Sequence, residues 1–188
     1  MRILPLVIIA SAAVFLSCAG TSDPVGPPVW FDPDVRYGPL FDFESPSQAS
    51  VWRYPDDSTA MTISSVRAYS GSSSLDCFAS AAANEVYCAN QGFDLRDRTV
   101  SVKVWFPRSA LNGTAFFYYQ DGGWSWDEGP HVTVSSAMTN AWTTMSWTLD
   151  ASLGTNRYAA LVYVNRIGMK MTFGAAPNDH VYFDDWDW

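Results

Sequence analysis

Val100, Val102, Val104 and Phe106 fall at every second position of one segment, with Ser101, Lys103 and Trp105 between them. An extended chain points successive side chains to opposite sides, so this spacing describes a strand with one face on a core. The pattern returns twice. Met145, Trp147 and Leu149 alternate with Thr144, Ser146 and Thr148, and Ile167, Met169, Met171 and Phe173 alternate with Gly168, Lys170 and Thr172. Turn-forming clusters separate such segments: Ser70-Gly71, Asn112-Gly113, Asp121-Gly122-Gly123 and Gly154-Thr155-Asn156. Beyond residue 38 no window holds i, i+3, i+4 apolar spacing over three turns, and only Pro107 to Leu111 suits a turn of helix. Short strands with frequent turns predict an all-β fold, an antiparallel β-sandwich or jelly roll, in a single domain.

The N-terminal stretch is of another kind. Residues 1–17 place Arg2 before an apolar run from Ile3 to Leu16, shorter than the roughly 20 residues that span a bilayer. That is the layout of a secretory signal. The run ends Phe15-Leu16-Ser17-Cys18-Ala19-Gly20, which resembles the lipobox of bacterial lipoproteins, although Phe15 stands where Leu is usual. The resemblance implies cleavage before Cys18 and lipidation of that residue; an ordinary secretory signal cleaved nearby is the other reading. Ala19, rather than Asp, implies an outer-membrane anchor, on the periplasmic or surface side of the cell envelope. Residues 18–38 then hold Pro24, Pro27, Pro28 and Pro33, a composition suited to an extended tether. Trp30, Phe31 and Tyr37 within it either fold back on the domain or stay in the linker. The expected domain is 39–188.

Charge excludes one class of partner. The chain carries 11 Lys+Arg against 19 Asp+Glu, and a net charge of −8 argues against a nucleic-acid groove. Two histidines and three cysteines leave little for a Cys/His zinc site. If Leu75–Ala79 and Val86–Asn90 form a hairpin about Ala81-Ala82-Ala83-Asn84, Cys77 stands directly opposite Cys88, within reach of a disulfide. The alternative is two buried free thiols. In either case the pair is structural.

The order of signals resembles a family. The domain opens Phe41-Asp42-Phe43-Glu44, followed by Trp52 and then Tyr69-Ser70-Gly71-Ser72-Ser73-Ser74-Leu75. The strand Val100–Phe106, Trp142-Thr143-Thr144-Met145, Arg166-Ile167-Gly168-Met169 and a closing Val181-Tyr182-Phe183-Asp184-Asp185-Trp186 follow. This is similar to the jelly-roll carbohydrate-binding modules found beside glycoside hydrolases, which often begin with an "FE" strand and end on an aromatic "DD" strand. The similarity runs over nearly all of 39–188 in short, degenerate motifs, and implies the fold more specifically than the sugar.

Sugar rings offer C–H faces and a rim of hydroxyls, so a site for them needs flat aromatic surface and a few orienting polar groups. Residues 118–128 supply both. Trp124 and Trp126 share a side of an extended segment, and Tyr118, Gln120, Asp121 and Asp127 stand nearby. Trp105, on the polar side of its strand, is either covered or used. The expected ligand-binding set is therefore Trp124, Trp126, Trp105 and Tyr118 for stacking, with Gln120, Asp121 and Asp127 for orientation. The competing account folds Trp124 and Trp126 over the sandwich edge as a second small core.

Asp184, Asp185 and Asp187 lie within four residues, and Asp42 and Glu44 share the polar face of the first strand. Where first and last strands adjoin, such carboxylates repel unless a hard cation neutralises them, and Ca²⁺ takes these ligands. The family resemblance implies the same structural calcium, held by Glu44 and by Asp184 or Asp185, with Asp42 a further candidate. A solvated acidic edge that discourages strand addition is the alternative.

Catalysis is not expected. Asp127 and Glu128 are adjacent, so on a strand they point to opposite faces, whereas glycosidase carboxyls face each other about 5–9 Å apart. Neither His131 nor His180 sits in a serine-nucleophile pattern, and no phosphate or dinucleotide loop is present. The sequence thus predicts a membrane-anchored lipoprotein whose sandwich binds a glycan or polysaccharide. An adhesion or assembly lipoprotein that holds another protein is the rival reading.

Overall fold

The computed structural model describes residues 40–54 and 61–188, all within one compact unit, Val35–Trp188. The expected signal segment, Cys18 and the tether lie outside the described residues. Two antiparallel sheets face each other. The first has the order β1 (Trp52–Arg53), β4 (Ala83–Phe93), β10 (Val164–Thr172), β6 (Thr114–Asp121), β7 (Trp126–Glu128), with β8 (Val132–Thr133) also pairing with β6. The second runs β2 (Thr62–Ser64), β3 (Ser74–Ala79), β11 (Asp179–Asp187), β5 (Arg98–Trp105), β9 (Trp142–Leu149). The all-β sandwich read from the alternating segments is the fold observed.

Alternation explains which residues fill the space between the sheets. Val100, Val102, Val104, Met145, Trp147, Leu149, Ile167, Met169 and Met171 are all buried, as their spacing requires. The first and last segments of the domain meet directly. Phe41 and Trp186 exchange both backbone hydrogen bonds at 2.9 Å. This pairing seats an aromatic centre: the Trp52 and Trp186 rings lie 4.3 Å apart, and Phe41 packs 5.4 Å from Trp52 and 5.6 Å from Trp188.

Helical content is small, as expected. The turn foreseen between Pro107 and Leu111 is a 3₁₀ turn over Arg108–Ala110. A short helix α1, Pro46–Ala49, starts behind Ser45, whose hydroxyl caps it, and α2 spans Thr155–Ala160. Both are too brief to carry the apolar periodicity that reveals a helix in sequence. Among the described residues no helix is long and apolar enough to cross a membrane.

The expected Cys77–Cys88 hairpin is corrected. β3 pairs with β11 and β2, whereas β4 pairs with β1 and β10, so the two segments belong to different sheets. Cys77 stands opposite Val181, and Cys88 opposite Trp52 and Ile167. The short link between the strands crosses from one sheet to the other instead of folding back, which equal spacing about a turn cannot reveal. Both cysteines are buried free thiols, and burial pushes the Cys77 thiol up to about 12. They resist a thiol reagent until the protein unfolds, and added reductant leaves the melting temperature unchanged; a drop of several degrees on reduction would restore the bridge. Phe41→Ala, which empties the aromatic centre, costs about 3–5 kcal/mol in urea unfolding. A loss under about 1 kcal/mol would show that the Phe41–Trp186 pairing is peripheral.

Candidate functional site

β6 carries four aromatic residues in succession, Phe116, Phe117, Tyr118 and Tyr119. The pleat sends alternate members to opposite sides. Phe117 turns inward to the Trp186 ring at 5.8 Å, and Tyr119 to Trp147 at 5.9 Å. Phe116 and Tyr118 turn outward, yet both are buried, because a second layer of planar groups lies on them. Trp126 stacks on Tyr118 with centroids 3.9 Å apart and planes 12° apart. His131 stacks on Phe116 at 4.0 Å and 5°. On the neighbouring strands the Arg166 guanidinium lies 4.6 Å from the Tyr87 ring and 4.9 Å from that of Trp124. Trp124 and Trp126 keep 50% and 40% of their surface open, so the face of the first sheet presents wet indoles on a dry aromatic base.

Polar groups ring this surface. Lys170 Nζ stands 5.3 Å from the Trp126 ring, and Glu85 accepts the Tyr118 hydroxyl proton in a hydrogen bond. That carboxylate, after burial, holds the Tyr118 phenol well above its ordinary range. Glu128 accepts from Trp126 Nε1 at 3.4 Å and lies 3.1 Å from His131 Nε2. Gln120 lies in register with Trp126 on one side and Arg166 on the other. At the middle of the face Gly168 stands between Tyr87 and Tyr118, where a Cβ would collide with the Val86 carbonyl and with Tyr87. Only glycine lets those strands and rings close up there.

The expected site residues divide accordingly. Trp124, Trp126, Tyr118 and Gln120 come together on the first sheet. Asp121 belongs to the scaffold: its Oδ1 accepts the Gly123 and Ser125 amides at 2.9 and 2.8 Å, shaping the turn in which Trp124 adopts a φ of 64°. Asp127 points to the other side of β7, where it takes the Tyr119 hydroxyl at 2.9 Å and pairs with Arg157. Trp105 lies on the outer side of the second sheet, away from the other indoles. It is 7% exposed, with the Arg67 guanidinium 3.8 Å above it and Tyr182 beside it. Sequence reasoning passed over Tyr87, Arg166, Lys170, Glu85, Glu128, Phe116 and His131. The available signal was Arg166 and Lys170 on the outward positions of one strand in an otherwise acidic chain.

The four proposed metal ligands gather at the closing edge in a different way. Glu44 accepts the Ser72 amide at 2.8 Å, the Ser72 hydroxyl at 2.8 Å and the Ser73 amide at 2.9 Å. These donors, the Ser72 amide first, hold its carboxyl below the ordinary value. Gly71, at φ 57°, presses its backbone against the same carboxylate. Asp184 is fully buried under the adjoining turn and accepts the Tyr69 and Ser70 amides at 2.7 and 3.1 Å. Burial outweighs these donors and raises its carboxyl to about 6. Asp185 takes the Ser70 hydroxyl at 2.7 Å, while Asp42 accepts the nearby Glu44 amide at 3.2 Å. The oxygen-only donor set suits a hard cation, but among the described residues no three Asp, Glu, His or Cys side chains come close enough to share a metal.

No protein-family model matches the sequence, and no curated protein matches it. Solved structures do share the fold. A carbohydrate-binding module of promiscuous specificity from the β-sandwich superfamily superposes with a TM-score of 0.58 at 14% identity, covering 80% of this chain and 61% of that one. A family 28 module specific for non-crystalline cellulose gives 0.54 at 14% identity, over 78% and 90% of the two chains. An exo-β-agarase gives 0.59 at 10% identity, over 80% of this chain and 24% of its own. The chain thus spans about three-fifths of the first of these and a quarter of the agarase. Its fold is the β-sandwich of carbohydrate-binding modules.

The raised Asp184 carboxyl sets a pH dependence. A group that binds its proton more tightly when folded stabilises the fold below its unfolded value, and that stability is lost as pH rises through the folded value. With chelator present, stability falls by about 1–2 kcal/mol between roughly pH 4 and 6. Asp184→Asn removes that slope in denaturant titrations at several pH values. An identical slope in the variant would assign it to another group.

Proposed function

We propose that the protein binds polysaccharide without transforming it, on the outer face of the first sheet. The observation that carries this reading is the Trp126–Tyr118 stack with its partly open outer indole, because a ring supported from beneath offers a flat apolar surface at fixed height. Trp124 extends that surface, while Gln120, Glu85, Glu128, Arg166 and Lys170 supply hydrogen bonds to hydroxyls. The fold shared with modules described as carbohydrate-binding supports it. The placement of Asp127 and Glu128 supports binding without catalysis: one is tied to Tyr119 and Arg157, the other to Trp126 and His131 across the strand. They do not confront one another across a cleft.

Native gels cast with xylan, amorphous cellulose or agarose test the reading. At least one polymer retards the protein, and Trp126→Ala weakens that retardation tenfold or more, about 1.4 kcal/mol. Trp105→Phe, on the opposite sheet, leaves it unchanged. A folded protein that none of these polymers, nor a broader glycan array, retains would overturn the proposal.

Two further elements belong to it. Cys18 is proposed as the lipidated residue that ties the domain to the outer membrane, so the full chain partitions into detergent and the Cys18→Ala chain does not. Calcium is proposed at the closing edge, with Glu44 and Asp184 as its carboxylates; it would supply the positive charge that buried Asp184 receives only from amide dipoles. Saturating calcium then raises the melting temperature by several degrees over chelator, and an unchanged transition rejects the ion.

A further inference from the structure

Resting on that polysaccharide-binding reading, we propose that His131 is a third ring of the site, and that the polymer lies along β6 rather than across the sheet. Phe116 and Tyr118 are two residues apart on one strand, which sets them about 7 Å apart. Each bears a parallel ring, His131 on the first and Trp126 on the second. At the next outward position, Gln120 pairs with Arg166, and the Trp124 ring lies by that guanidinium. Planar groups therefore follow the strand in the order His131, Trp126, Trp124.

Exposure and fixation both support a contact role for His131. Its side chain is 49% open, as much as the indoles beside it. Glu128 reaches both neighbours, with Oε1 at His131 Nε2 and Oε2 at Trp126 Nε1. One carboxylate thus holds the edges of the two rings, while Phe116 and Tyr118 back their inner faces. The surface these rings leave open is what remains for a ligand. Rings set apart along a strand offer separate contacts to one linear chain, so the polymer is gripped along its length.

Calorimetry with oligosaccharides of two, three, four and six units, drawn from whichever of xylan, cellulose or agarose the wild type retains, tests this. Affinity rises with length in the wild type. His131→Ala loses five- to tenfold for the hexamer and little for the dimer, and His131→Phe restores the loss. His131→Gln, which keeps a donor for Glu128 but no ring, behaves as Ala. If all three variants match the wild type at every length, or if Gln restores affinity and Phe does not, the ring has no contact role and the proposal falls. Trp126→Ala separates the two levels. Lost binding there with inert His131 variants leaves the polysaccharide reading standing alone, whereas a wild type that binds no oligosaccharide removes both. Thermal melts confirm that each variant is folded.

Discussion

Four successive aromatic residues on β6 can exist in water only if both sides of the strand are dry, and the pleat forces two of them to each side. Phe117 and Tyr119 are accommodated by the sandwich core, against Trp186 and Trp147. Phe116 and Tyr118 have no second sheet above them. They are covered instead by His131 and Trp126, delivered by the β6–β7 arm and the residues that follow it. The outward platform is thus a by-product of burying β6 on its solvent side, with the covering rings left half wet.

Electrostatics complete this arrangement at low cost. Arg166 and Lys170 sit over rings, and Glu85 and Glu128 accept from Tyr118 and Trp126, so the charged groups on the face are bound to its aromatic ones. At the closing edge the same economy fails for Asp184, which is met by the Tyr69, Ser70 and Asp185 amides and keeps a high affinity for its proton. Positive φ at Phe43 and Asp185, 51° and 45°, brackets this edge. There the chain bends sharply enough to put Phe43 in the core and Glu44 on the Ser72 turn.

How much of this was legible in the sequence depended on the range of the interaction. Period-two burial of Val100 to Val104 or Ile167 to Met171 is a local property of the pleat, and it was readable. Meeting of the Phe41 and Trp186 segments was anticipated from general sandwich topology. Sheet membership is not local: β3 and β4 are close in sequence yet lie in different sheets, so symmetric cysteine spacing pointed to a hairpin that does not exist. The indoles of Trp124 and Trp126 stood out by type. Their supports, Tyr87 and Phe116, are indistinguishable from core residues until strand partners are known, and Trp105 looked available because Arg67 lies some forty positions away.

The division of labour between the two layers bears on how such a surface diversifies. Phe116, Tyr118 and Tyr87 are locked into strand pairing, with Gly168 leaving no room for adjustment between the two tyrosines. The groups that meet solvent, Trp124, Trp126 and His131, hang from a three-residue strand and its flanking turns. Point changes in that appendage retune the exposed contour without disturbing the foundation. The contour that meets water is thus free to vary while the masonry beneath stays nearly constant.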